Sequence, residues 1–188
     1  MRTPQNHEKV AEILRSDAVR WRALEMVADL GLPDCWIAAG FVRNAVWDAL
    51  HNRDPQHLVG DVDIIFFDPV RPEENRDRSV EDLLRLRDQT MDWSVKNQAR
   101  MHHRNGDAPY TSACHAMRYW PETATAVAAR LDANGKCVVR SAFGLDDLMD
   151  MIVRPTERFR GDKHPIFQAR VSEKRWFETW PRLRLADD

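Results

Sequence analysis

Apolar residues near the start of the chain recur at helical spacing. They include Val10, Ile13 and Leu14, and the pattern continues to Leu30. The spacing is interrupted near Ser16 and Asp17, where a side chain could cap a new helix. The pattern therefore predicts two short helices, or one kinked helix, over residues 7–30.

A strand, a turn, a helix, a loop and a second strand are predicted next. The run CWIAA indicates a buried strand over residues 35–39, because the glycine and proline just before it stop helical structure. Helical spacing resumes from Arg43 to Leu50, and HNRDPQ is predicted to be a loop. VDIIFFD is the strongest strand signal, because isoleucine and phenylalanine fit a buried pleated surface.

The second half of the chain mixes both kinds of element. SVEDLLRLRD predicts a helix capped at Ser79, after a charged loop PVRPEENRDR, and MDWSVKNQARM predicts a strand that becomes helical near Gln98. TATAVAARLDANGKCVVRSAFG predicts a hairpin that turns at Asn134 and Gly135. GLDDLMDMIVRP predicts a helix ending at Pro155, and EKRWFETWPRL predicts a short amphipathic helix.

Length and charge favour one compact domain without a general affinity for nucleic acid. The 188 residues suit a single domain, which we divide into a helical lead-in 1–34, a core 35–155 and a C-terminal tail 156–188. The formal net charge is -2, so a polynucleotide partner would need a local basic patch.

Three widely spaced cysteines, the absence of an apolar leader and the absence of any membrane-spanning apolar run predict a cytoplasmic protein with free thiols and no membrane partner.

Two aspartates stand out on the second predicted strand. Asp61 and Asp63 are two positions apart, so their carboxylates project from the same face and repel one another. A divalent cation such as Mg²⁺ (or Mn²⁺) relieves that repulsion and prefers oxygen ligands. Because Mg²⁺ usually shares its coordination sphere with substrate phosphates, the pair predicts a site for a nucleoside triphosphate.

Gly40 and Arg43 supply a matching phosphate site. A glycine between a strand and a helix lets a phosphate approach the backbone, where the first N–H groups of the helix are unpaired. We include the neighbouring Phe41 in this nucleotide-binding turn, and Arg43 in the first helical turn could bind a phosphate bidentately.

These residues resemble a known superfamily. AGFVRNAVWDAL followed by GDVDIIFF is similar to the motifs G-G-x-V-R-D and D-x-D of the polymerase-β nucleotidyltransferase superfamily, in its tRNA-nucleotidyltransferase and poly(A)-polymerase branch. WSVKNQARMH, YWPETATAV, FGLDDL and RVSEKRWFETWPRL extend the resemblance to the bacterial nucleotidyltransferase family 6, from about Trp36 to Leu183. Ala39 and Asn44 depart from the motifs, since they replace the first glycine and the aspartate after the arginine.

The resemblance implies a mixed α/β (α+β) fold with a polymerase-β-type nucleotidyltransferase core, flanked by N-terminal helices and a C-terminal amphipathic helix. It also implies transfer of a nucleoside monophosphate from a triphosphate to a hydroxyl, with Asp61 and Asp63 as catalytic metal ligands. Asp92 is the candidate third catalytic and metal-binding carboxylate. Asn97 would hydrogen-bond the nucleotide or orient a loop, and Lys96 is a further candidate for contacting the triphosphate.

Several alternatives stay open. The acceptor could be a small molecule, a protein side chain or an RNA end, and a polynucleotide is possible but not favoured. A rival hypothesis is a non-catalytic nucleotide-binding or protein-interaction module that keeps the fold. A zinc-stabilised domain is a second rival, although adjacent side chains diverge and make poor chelating pairs; its candidate ligands are His102, His103, Cys114 and His115.

Overall fold

The computed structural model describes residues 3–54 and 60–186. Its centre is a five-stranded sheet in the order β3-β2-β1-β4-β5. The pair β2 and β3 is parallel and the other neighbours are antiparallel, so the sheet is mixed, as the resemblance implied. The strands are β1 (Trp36–Ala38), β2 (Asp61–Phe66), β3 (Asp92–Asn97), β4 (Val127–Leu131) and β5 (Cys137–Ser141).

The first half of the chain follows the predicted pattern. Helix α1 (Thr3–Ser16) and helix α2 (Ala18–Ala28) are separate, and the Asp17 carboxylate caps α2 by accepting hydrogen bonds from the N–H groups of Val19 and Arg20. Helix α3 (Gly40–Leu50) follows β1 after a single linking residue. The predicted loop HNRDPQ lies within the described residues only as far as Asp54, and its last two residues lie outside them.

The predicted helix cap at Ser79 is wrong, because helix α4 spans Glu74–Arg87. It begins five residues earlier, within the segment predicted to be a loop, and the Ser79 hydroxyl donates to the carbonyl of Asn75 inside the helix. Buried Asp77 explains the early start, because its carboxylate accepts from the Asn97 N–H and pairs with Arg100. Helix α5 (Gln98–Asn105) and the short helix α6 (Ala113–Met117) follow β3.

The predicted hairpin is confirmed, and the predicted helix after it is mostly wrong. Gly135, with φ of 72°, lies in the turn between β4 and β5. Helix α7 spans only Asp146–Met149, because Met151 adopts a left-handed φ of 58° that ends helical structure. The chain then forms β6 (Ile152–Val153), which pairs with β7 (Arg184–Leu185) near the C-terminus.

The C-terminal amphipathic helix is present in two pieces rather than one. Helix α8 (His164–Lys174) and helix α9 (Trp176–Thr179) meet at Arg175, whose φ of 49° breaks the helix. Trp176 and Trp180 pack edge-to-face on Trp47 of α3, with ring centres 5.8 and 5.2 Å away. The C-terminal segment is therefore anchored on α3.

Each face of the sheet has its own apolar layer. The larger layer joins the sheet to α1, α2, α3, α8 and α9, and it runs from Val10 to Leu183. The smaller layer lies under α6 and contains Trp36, Ala38, Ile65, Ala113, Met117, Ala126 and Ala128. Among the helices that the structure describes, each is too short or too polar to cross a membrane. The three cysteines are free thiols, as predicted.

Candidate functional site

A cavity of about 800 Å³ opens where β1 ends, α3 begins and α8 passes into α9. It brings together residues from the start, the middle and the end of the chain. Its walls carry both acidic and basic side chains, together with two tryptophans. The lining residues are Arg20, Ala39, Gly40, Arg43, Asn44, Asp48, Arg53, Gly60, Asp61, Asp63, Arg170, Lys174, Trp176, Thr179 and Trp180.

The turn from β1 into α3 leaves backbone donors free at the cavity. The Ala39 carbonyl accepts from the N–H groups of Val42 and Arg43, at 3.2 and 2.9 Å. Within the described part of the chain, the N–H groups of Gly40 and Phe41 have no hydrogen-bond partner in the structure. A Cβ at position 40 would lie 3.5 Å from the guanidinium of Arg43, which is an ordinary van der Waals distance, so the structure would accommodate a small side chain here. The turn has the features of an anion cradle.

Ala39 itself adopts a backbone conformation that favours glycine. Its φ of 55° and ψ of -124° belong to the first central position of a type II′ turn. The Ala39 N–H donates to the Val127 carbonyl at 2.9 Å, which ties the turn to β4. The alanine that replaces the expected glycine is thus held in a strained geometry by its neighbours.

Asp61 and Asp63 lie at the start of β2, and both line the cavity. Asp63 is opposite Ala38 in the antiparallel register, so the carboxylates lie beside the turn that leads to Gly40. Burial raises the pKa of Asp63 to about 6, and the repelling charge of Asp61 adds to the shift. The pair is an electrostatically unfavourable arrangement that a bound cation would relieve.

Arg43 is buried beneath the cavity wall and is fully engaged at its ends. One terminal nitrogen donates to Thr125 Oγ1 and the other to Asn44 Oδ1, both at 2.8 Å. The guanidinium also lies over the rings of Trp47 and Trp176, 5.0 and 4.4 Å from their centres. Burial lowers the pKa of Arg43 to about 10, which still leaves it protonated at neutral pH.

Arg170 and Lys174 of α8 are cavity residues that the sequence motifs did not single out. The two residues lie one helical turn apart, and their positive charges lower the pKa of Asp63 against the two raising effects. A signal was present, because the segment RVSEKRWFETWPRL that carries part of the family resemblance begins at Arg170 and contains Lys174. Its helical pattern gave no reason to assign these two residues to the site.

Asp92 lies beside Asp61 on the neighbouring strand. The two are paired in the parallel register of β2 and β3, so their side chains leave the same face of the sheet. Asp92 lines a separate depression with Thr90 and Met91, and it does not line the cavity of Asp61 and Asp63. Its role as the third carboxylate stays a prediction.

The side chains of Asn97, Phe41 and Lys96 are not among those that line the cavity, and the nucleotide-binding role of these three residues stays a prediction. Asn97 is buried, accepts from the N–H groups of Asp68 and Ala99, and donates to two backbone carbonyls, so it orders the loop after β2. The Phe41 ring is buried in the larger apolar layer, which leaves its backbone N–H as the group at the turn. Lys96 pairs with Glu81 of α4.

The two cavity carboxylates suit an open magnesium site rather than a closed site in which every ligand comes from the protein. In residues 3–54 and 60–186, no three side chains of histidine, cysteine, aspartate or glutamate are grouped to hold a metal ion. Mg²⁺ is commonly bound by one or two carboxylates, with waters and substrate phosphates completing its shell. The pKa of Asp63 is raised partly by the charge of Asp61, as expected for two carboxylates that lie close together without a cation between them.

The mixed sheet, the strand-to-helix turn and the paired acids on β2 define the class of polymerase-β-type nucleotidyltransferases. A sequence profile of a nucleotidyltransferase family, family 6, matches residues 25–185, and the chain belongs to that family. No curated protein matches the chain.

Solved structures show the same fold. An NMR structure described as a CCA-adding enzyme head domain is 35% identical, with a TM-score of 0.85 and coverage of 96% of both chains. A Thermotoga maritima CCA-adding enzyme in complex with tRNA is 16% identical, with a TM-score of 0.57, and a tRNA-processing enzyme with CTP is 17% identical, with a TM-score of 0.54. The matches cover 94% and 87% of this chain but 42% of those longer enzymes.

Proposed function

We propose that this protein transfers a nucleoside monophosphate from a nucleoside triphosphate to a hydroxyl acceptor, with Mg²⁺ or Mn²⁺ as cofactor. The observation that carries the proposal is that two acids and a set of candidate phosphate-binding groups line one cavity. Asp61 and Asp63 lie beside the turn at Gly40, and Arg170 and Lys174 of α8 line the same cavity.

The triphosphate would lie in this cavity. Its β- and γ-phosphates would accept hydrogen bonds from the backbone N–H groups at Gly40 and Phe41, where the dipole of α3 favours negative charge. Arg43 supports this turn from below by holding Asn44 and Thr125, and it contributes a fixed positive charge. Lys174 lines the same cavity and adds a second positive charge.

The cation would be held by Asp61 and Asp63 and would neutralise charge on the phosphates. In the transfer, a bond forms between the acceptor oxygen and the α-phosphorus, and the bond from that phosphorus to the bridging oxygen breaks to release pyrophosphate. The acceptor's proton passes to a carboxylate, for which Asp92 is the candidate because it lies beside Asp61. Positioning and charge neutralisation supply most of the catalysis in such reactions.

The acceptor class is left open by the cavity. The related CCA-adding enzyme was solved with tRNA, which keeps an RNA end among the candidates beside a small molecule or a protein hydroxyl. A cell extract incubated with each nucleotide labelled at the α-phosphate identifies the acceptor by the molecule that acquires label. Release of labelled pyrophosphate from γ-labelled nucleotide, in step with this labelling, distinguishes monophosphate transfer from simple hydrolysis to a diphosphate.

Calorimetric titration with ATP, with and without Mg²⁺, tests the metal-dependent site. We expect Asp61→Asn and Asp63→Asn to abolish metal-dependent binding, while Asp29→Asn, the same exchange at an exposed acid outside the cavity, leaves it unchanged. A module that only binds nucleotide would keep its ATP affinity without metal and label no acceptor. These two results together would overturn nucleotidyl transfer and support the non-catalytic nucleotide-binding module.

A further inference from the structure

Glu122 is a buried carboxylate next to the cavity, in the segment YWPETATAV that the proposed mechanism does not use. It is 1% exposed. Its Oε1 accepts a hydrogen bond from Nε of Arg170 at 2.7 Å, while its Oε2 is buried without a partner among the described residues. Burying this carboxylate is costly, because its pairing with Arg170 only partly offsets its desolvation.

This contact engages only Nε of Arg170 and leaves its two terminal nitrogens available to a ligand. A guanidinium has five N–H donors, and Glu122 engages the one on Nε. The structure gives the terminal nitrogens of Arg170 no hydrogen-bond acceptor within residues 3–54 and 60–186, and the side chain lines the cavity with 34% exposure. Two parallel N–H groups on these nitrogens have the geometry that binds a phosphate bidentately.

Arg43 presents the opposite arrangement. Both of its terminal nitrogens already donate to protein oxygens, Thr125 Oγ1 and Asn44 Oδ1, and the ring of Trp176 lies over its face. Of these two cavity arginines, Arg170 is the one with an open fork. The charge of Glu122 also acts on Arg43, where it opposes the lowering of the pKa by burial.

We propose that Glu122 is a positioning residue that holds Arg170 by Nε so that its terminal nitrogens bind the polyphosphate of the nucleotide. The inference rests on the proposed function for its biological meaning. Its binding step can nevertheless be measured with inorganic tripolyphosphate, which contains no nucleoside and undergoes no transfer. Glu122 acts through Arg170 and contacts no substrate itself.

Two conservative variants separate positioning from plain electrostatics. Removing a negative charge strengthens the attraction of an anion, so a purely electrostatic role for Glu122 gives tighter tripolyphosphate binding in Glu122→Gln. Positioning gives weaker binding in that variant. It also gives weaker binding in Glu122→Asp, which keeps the charge but is one methylene too short to hold Arg170. We expect both variants to weaken binding about five- to tenfold.

Arg170, the half-buried partner of Glu122, provides a further variant. Arg170→Gln should weaken tripolyphosphate binding about tenfold or more, because a charged hydrogen-bond pair is lost. Arg78→Gln removes the same charge from an exposed pair on α4, outside the cavity, and should change binding by less than about twofold. Thermal unfolding of each variant reports whether the fold is retained.

A double-mutant cycle gives the decisive result. If Glu122 acts through Arg170, Glu122→Gln has no further effect on tripolyphosphate binding in the Arg170→Gln background. Additive effects, unchanged binding in Arg170→Gln, or tighter binding in Glu122→Gln would each overturn the inference.

The role of Glu122 and the proposed nucleotidyl transfer can fail independently of one another. Tripolyphosphate binding that depends on Arg170, in a protein that labels no acceptor, retains the inference and overturns nucleotidyl transfer. Transfer that is indifferent to Arg170→Gln overturns the inference alone. In an active enzyme, Glu122→Gln should raise KM for the triphosphate about fivefold or more with kcat nearly unchanged, since the contact is equally present before and during the reaction.

Discussion

The guanidinium of Arg43 lies 4.4 Å from the ring centre of Trp176, so a residue in the first turns of α3 supports a residue of the C-terminal helix α9. Trp180 extends this contact, because its indole N–H donates to the carboxylate of Asp48 at 2.8 Å. The wall of the cavity that α8 and α9 supply is therefore fixed to the same helix that begins at the Gly40 turn.

Arg43→Lys should destabilise the fold. A lysine ammonium cannot donate to Thr125 and Asn44 together while it stacks between two indoles, so buried acceptors lose their partners. We expect a loss of about 1–3 kcal/mol in the free energy of unfolding, measured with denaturant. Arg15→Lys is the control, because Arg15 is exposed where it lies over Trp21, and its loss should stay below about 0.5 kcal/mol. Equal losses in the two variants would contradict the supporting role of Arg43.

Ala39→Gly should stabilise the protein. Glycine adopts the φ of 55° and ψ of -124° at this position without strain, and the relief exceeds its entropic cost in the unfolded chain. We expect a gain of about 1 kcal/mol in chemical denaturation. Ala49→Gly, in the regular part of α3, should instead cost about 1 kcal/mol. A loss of stability in both variants would mean that Ala39 is not strained.

Asp63→Asn should stabilise the protein in a pH-dependent way while it abolishes function. The pKa of Asp63 rises from its ordinary 3.8 to about 6 in the fold, so the folded state loses stability as the pH rises through this window and the carboxyl ionises. Asparagine removes that loss. The gain should reach about 1–3 kcal/mol above pH 7 and shrink as the pH falls toward 4.

Thermal unfolding across this pH range measures the effect without added metal. Saturating Mg²⁺ should stabilise the wild-type protein and reduce its disadvantage relative to the variant. A gain that is independent of pH would show that the ionisation of Asp63 is not its cause. In the same window, metal-dependent ATP binding by the wild-type protein should weaken as the pH falls below about 6, because the carboxyl becomes protonated.

Asp92→Asn should separate catalysis from binding. Asp92 lies beside Asp61 in the strand register but outside the cavity, so its loss should change ATP affinity by less than about twofold. As a general base it should account for about a hundredfold or more in the transfer rate. Titration and label transfer on one preparation measure both quantities. Full transfer activity in the variant would remove Asp92 from the mechanism, and lost ATP binding would move it into the metal site.

The parts of the site predicted from sequence are those that depend on short local patterns. Gly40 follows a strand, and Asp61 and Asp63 share a face by the two-residue period, so local geometry alone placed them. The same local patterning correctly separated α1 from α2 at Asp17.

Long-range contacts account for most of what the sequence did not reveal. The early start of α4 depends on buried Asp77, which binds groups twenty or more residues away on β3 and α5. Arg170 reaches the cavity through its pair with Glu122, 48 residues earlier. The sequence left the role of Asn97 open between nucleotide binding and loop orientation, and its hydrogen bonds to the loop after β2 are visible only in three dimensions.

The bond between Trp180 and Asp48 spans 132 positions, and it has a consequence for the newly made protein. Until Trp180 has joined α3, a newly made chain carries Asp61, Asp63 and the turn at Gly40 but lacks one side of the cavity. The pocket is therefore complete only after distant parts of the chain have folded together.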